Sequence, residues 1–125
     1  MRLFLASLLC LTLLSGCVGQ YVWAPDSVVE QVKYRDSGAP SLTLFTMVNN
    51  QTGKGGHSAL MVSGSQRVIF DPAGTVRHEV LVERNDVLYG INPSVLDFYT
   101  RAHARKTHHV VIQTVEVTPD VAELA

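Results

Sequence analysis

The chain has 125 residues, 46% hydrophobic and 17% charged, which suits one small globular domain and excludes a two-domain enzyme. Ten Lys and Arg against eleven Asp and Glu leave a net charge of −1. That balance gives no basic field, so nucleic acid is not expected as a partner.

Arg2 and the apolar run Leu3 to Leu14 form the charged start and hydrophobic stretch of a secretory signal. The run is shorter than the about 20 apolar residues that span a bilayer. It ends at Leu14-Ser15-Gly16-Cys17, which resembles the cleavage box of bacterial lipoproteins. The resemblance implies that residues 1–16 are removed and that Cys17 carries a diacylglyceryl group as the mature N-terminus. It also implies a lipid-anchored protein of the bacterial cell envelope. Val18, in place of Asp, points by the same resemblance to the outer membrane, facing the periplasm. Two or more acyl chains anchor a protein stably, at ~0.8 kcal/mol per buried methylene. With Cys10 lost and Cys17 consumed, no thiol remains for a disulfide or a thiolate metal site.

Residues 17–40 contain Gly19, Pro25, Gly38 and Pro40 and read as a lipidated tether, with room for a short strand at Val28 to Tyr34. Residues 41–125 read as the soluble domain. After residue 16 the chain has 21 Val and Ile but only seven Leu, a β-branched excess that favours strands. Leu42 to Val48 is apolar on both faces and is predicted as an inner strand. A polar turn follows, Asn49 to Gly56, whose lysine and glycines lack the spacing of a phosphate-binding loop. His57 to Val62 and Arg67 to Asp71 form a predicted hairpin, closed by Asp71-Pro72-Ala73-Gly74. Val76 to Glu83 alternates as a strand with His78 on its apolar face, and Asp86 to Ile91 reads as a short strand or extended turn.

Asn92-Pro93 supplies a cap and a first-turn proline for a helix through about Arg105, with Val95, Phe98, Tyr99 and Ala102 on its core face. Val110 to Val117 is a further strand. Thr118-Pro119-Asp120 opens a second helix, but only Val121 to Ala125 continue it. Either this is a stub packed on the sheet or the chain is a fragment of a longer protein; the fragment is the expectation adopted. The predicted fold is α+β: a small, mainly antiparallel sheet with one helix after Pro93 and the start of another at Pro119.

His57 is the first candidate for chemistry, because it follows two glycines at the mouth of an apolar strand. A three-residue loop at Ser63 to Ser65 would pair residues whose numbers sum to 128, placing Asp71 across from His57 on the same face. A two-residue loop would put them on opposite faces. The run Gly56-His57-Ser58-Ala59-Leu60-Met61-Val62, a turn, then Arg67-Val68-Ile69-Phe70-Asp71 resembles the circularly permuted papain-like families. These include relatives of lecithin retinol acyltransferase and NlpC/P60-type envelope proteins. The resemblance implies a histidine at the mouth of one strand, here His57, and a polar residue closing the next, here near Asp71. It further implies a cysteine nucleophile on a later helix, and no cysteine follows His57.

His103, His108 and His109 lie among Arg101, Arg105 and Lys106 and read as a solvated helix end, with contact to anionic lipid headgroups as the alternative. Their spacing suits no metal site, and no metal or other cofactor is expected. The leading function is an envelope lipoprotein with a partial permuted papain-like domain, inactive in this chain alone and, with a downstream cysteine, an amidase or acyltransferase. The alternative is a non-catalytic lipoprotein that binds an envelope protein or a peptidoglycan-related partner. A metal-binding periplasmic module is the third.

Overall fold

The computed structural model describes residues 22–72 and 78–125. The signal stretch, Cys17 and part of the strand expected at Val76 to Glu83 lie outside these residues. Within them, six strands form one sheet: β1 (Ser41–Asn49), β2 (Gly55–Ser63), β3 (Arg67–Phe70), β4 (Val82–Arg84), β5 (Val87–Tyr89) and β6 (His108–Glu116). Every pairing is antiparallel, in the order β4-β5-β3-β2-β1-β6. Among the described residues, three short helices accompany it: α1 (Asp26–Val32), α2 (Pro93–His103) and α3 (Pro119–Leu124). The α+β class and the antiparallel sheet expected from the sequence are therefore present, with β1 inside the sheet. Among the described residues, no helix is long and apolar enough to cross a membrane.

Alternation on β1 decides which side becomes the core. Thr43, Phe45 and Met47 are buried on one side, and antiparallel pairing sets Met61, Ala59 and His57 beside them. Ile69, Leu88, Ile91 and Tyr99 complete this cluster. Tyr99 comes from α2 and meets Phe45 edge to face, with ring centroids 5.6 Å apart. Asn92 starts the helix as expected: its side-chain oxygen accepts from the backbone N–H groups of Ser94 and Val95, both at 3.0 Å.

Two predicted elements differ. Residues 28–34 are not a strand; Asp26–Val32 is helical, and Val29 is buried. Arg84 binds Asp26 at 2.7 Å and the Ala24 carbonyl, and Arg67 donates its backbone N–H to the Tyr34 carbonyl. The part of the expected tether from Val22 to Pro40 is thus folded against the sheet. Gly90 shows how closely: it sits at φ +70°, and a Cβ there would come within 2.9 Å of Val32. The strand expected over Val76 to Glu83 is reduced to Val82–Arg84 among the described residues. Its neighbour β5 follows through Asn85 and Asp86, both at positive φ, the backbone of a tight two-residue hairpin turn. His78 is exposed against the Phe98 ring and is not part of a strand.

Candidate functional site

The β2–β3 hairpin closes over Gly64, Ser65 and Gln66, so Ser63 pairs with Arg67 and Met61 with Ile69. Paired numbers sum to 130, not 128, because the three-residue loop begins one position later than expected. Ala59 is therefore the position opposite Asp71, and His57 is diagonal to it. A shift of two preserves side-chain parity, so His57 and Asp71 still share a face.

Local backbone features aim both residues. The β1–β2 register slips between Met47 and Val48, where Met47 pairs with His57 and Val48 with Gly55. Gly56 is the extra residue of this bulge, immediately before His57. Asp71 lies one residue past β3, and its backbone N–H donates to the Asp86 carbonyl at 2.8 Å, which holds it in the line of the strand. His57 Nε2 and Asp71 Oδ1 are 3.0 Å apart, with side chains 13% and 4% exposed. The contact is close but not a well-aligned hydrogen bond: both atoms are buried without an aligned partner.

Helix α2 contributes two further groups. Tyr99 donates its hydroxyl to Asp71 Oδ2 at 2.7 Å. Burial, then that hydrogen bond and the carboxylate's charge, push the Tyr99 phenol far above its ordinary range, so it remains a donor. One helical turn on, His103 is buried; its Nδ1 lies 2.9 Å from the Tyr99 carbonyl and its Nε2 lies 3.9 Å from Asp71 Oδ2. Its ring is parallel to that of His57 within 7°, with centroids 5.3 Å apart. Burial chiefly lowers the proton affinity of His103, and the neighbouring His57 works in the same direction.

His103 was expected at a solvated helix end. The i to i+4 step from Tyr99 instead carries it onto the core face, a signal present in the sequence but masked by Arg101 and Arg105 on either side. His108 and His109 stay away from the centre: Thr107 holds one and Asn50 the other, at 2.9 and 2.6 Å. A shallow opening lined by Thr46, Gly55, Gly56, His57, Ser58 and Pro72 lies at the mouth of β2.

The helix after Thr118 does not border this opening. α3 packs on the other face of the sheet, at the far end of the hairpin, where Glu123 accepts from the Ser65 backbone N–H and hydroxyl at 2.7 and 3.0 Å. Those hydrogen bonds hold the Glu123 carboxyl below its usual value. The helix after Thr118 thus packs away from His57. The cause is local: the chain leaves β6 at the end where Glu116 pairs with Ser41, remote from the pairing of Val110 with Met47 next to His57. Comparison with protein-family models, with curated proteins and with solved structures finds no match to this chain.

Proposed function

We propose that this chain is a lipid-anchored protein of the bacterial envelope whose sheet supplies the proton-handling half of an acyl-transferring or amide-cleaving site. The observation that carries the reading is Asp71 held between two groups: His57 Nε2 at one oxygen and the Tyr99 hydroxyl at the other. A carboxylate on Nε2 favours the tautomer with its proton there and leaves Nδ1 as the base. Nδ1 would take the proton of a thiol, the thiolate would attack an acyl carbonyl, and the proton would pass to the departing amine or alcohol. This role matches the resemblance to permuted papain-like domains carried by Gly56-His57 and the strand ending at Asp71. The cysteines of this sequence, Cys10 and Cys17, both precede the sheet, so the reading requires a thiol from sequence beyond Ala125.

The test is to express the reading frame with its downstream sequence and assay amide and thioester cleavage beside the 125-residue chain. The longer protein should be active and the shorter inert, and His57→Ala should abolish activity without unfolding the longer protein. Full activity in His57→Ala, or a downstream sequence without cysteine, would overturn the reading. For the anchor, Cys17→Ser should leave unprocessed precursor in the membrane fraction. The second reading, a non-catalytic envelope module, is favoured by the position of α3 on the face away from His57.

A further inference from the structure

The centre around Asp71 has a second chemical capacity that its sequence spacing conceals. One donor atom each from His57, Asp71 and His103 lies within 4.8 Å of the others. Three separate elements supply them: the mouth of β2, the end of β3 and the last turn of α2. We propose that these three residues form a binding site for a divalent transition-metal ion of the zinc class.

Three observations support the assignment. First, His57 Nε2 and Asp71 Oδ1 are buried 3.0 Å apart without an aligned hydrogen bond, so their contact satisfies neither atom fully. A cation would compensate both. Second, the Tyr99 carbonyl can only accept, so the 2.9 Å contact places a proton on His103 Nδ1 and, in the neutral ring, leaves Nε2 as a lone-pair nitrogen on the side of Asp71. A backbone carbonyl on the remote ring nitrogen is the usual support of a metal-binding imidazole. Burial acts in the same sense, since it favours the neutral ring. Third, the Tyr99 hydroxyl fixes Asp71 Oδ2 and thereby orients Oδ1, the corresponding support for a carboxylate ligand.

Two imidazoles and one carboxylate match the donors of open zinc sites, in which water or a substrate takes the fourth position. Of the three, His57 also borders a shallow surface opening at the mouth of β2, beside Gly55, Gly56 and Pro72. Tetrahedral bonds of 2.0–2.1 Å set ligand nitrogens about 3.3 Å apart, so binding would draw the rings together and turn one of them out of the parallel arrangement. His57, at the bulge and nearer solvent, has the freedom to move. The proposal does not rest on the catalytic reading. An ion on Nε2 would hold the proton on Nδ1 and stop His57 from acting as a base.

The full chain titrated with Zn(II) alone should take up one ion. His57→Gln and His103→Gln should each weaken binding by tenfold or more, Tyr99→Phe by about tenfold, and His109→Gln should leave it unchanged. Co(II) should give a tetrahedral visible spectrum without a thiolate charge-transfer band, which separates this site from Cys10 and Cys17. NMR of the unaltered chain guards against unfolded variants: the His57 and His103 ring resonances should shift on saturation with Zn(II). Binding that survives both histidine substitutions, or resonances of these two rings that stay fixed at saturation, would overturn the proposal. None of these measurements depends on hydrolytic activity, so an inert enzyme and an absent metal site are distinguishable.

Discussion

Phe45 and Leu44 are neighbours on β1, yet Phe45 is 1% exposed under α2 and Leu44 is 41% exposed on the reverse of the sheet. The side facing α2 is packed with aromatic and aliphatic side chains over β1, β2 and β3 and carries every member of the His57–Asp71–Tyr99–His103 centre, while Ile112 of the edge strand β6 stays 50% exposed on that side. The reverse is equally apolar, with Phe70, Val111 and Val115 open to solvent and α3 covering only the end near Gly64 and Ser65. Hydrophobicity of the strands is thus common to both faces, and what separates them is cover. Titratable groups gather where cover excludes water, because there a hydrogen bond or charge has its greatest influence on its neighbour.

The largest test of this contrast is a pair of truncations on adjacent residues. Phe45→Ala should cost about 3–5 kcal/mol, from lost burial and the cavity left against Tyr99. Leu44→Ala should cost less than about 1.5 kcal/mol, since much of that side chain already meets water. Urea denaturation of both variants checks the ratio, and equal losses would erase the distinction between the faces.

A smaller effect concerns pH. Burial lowers the proton affinity of folded His103 below the ordinary imidazole value of 6.5, so the unfolded chain takes up the proton first as pH falls. This residue should leave stability unchanged above that value and reduce it progressively below, until the folded ring titrates too. His103→Gln should flatten that part of the profile. Urea midpoints from about pH 8 to about pH 5 give the comparison. A profile unchanged by the substitution would mean the ring is not protected from water.

The smallest effect belongs to the sparsely covered face. Glu123→Ala removes the acceptor for Ser65 and should free α3 locally, seen as faster amide hydrogen exchange at Ala122. The urea midpoint of the whole domain should barely move. A large global loss would show that α3 contributes to the core as α2 does.

The legible parts of the fold have strong local signals. β1, the β2–β3 hairpin and β6 are apolar, β-branched runs bounded by turn residues, and α2 has an asparagine cap, a proline and a core face at helical spacing. In Asp26–Val32 three valines suggest a strand, although Val28, Val29 and Val32 also fit one helical face. β4 and β5 are three residues each, too short for a period to register; the Asn85-Asp86 turn was their only marker. At the site, His57 and Asp71 were found because a strand mouth and a strand end are visible in sequence. Their partners were not, since Tyr99 was assigned only to packing and His103 to solvent. A helix interior joins a distant centre only through tertiary packing, which spacing along one element does not report.

The register of β1 against β6 carries a kinetic consequence. Asn49 pairs with His108 and Ser41 with Glu116, so the two strands meet only after nearly the whole domain exists as polypeptide. At about 5–20 residues per second, synthesis from Asn49 to Glu116 takes about 3 to 13 s. Throughout that interval the outer edge of β1, with Leu42, Leu44 and Val48 along it, lacks its native neighbour. The hairpin bearing His57 and Asp71 is local and can close early, whereas the strand that completes the sheet arrives last. The nascent chain thus has a window for edge-to-edge association that ends when β6 docks.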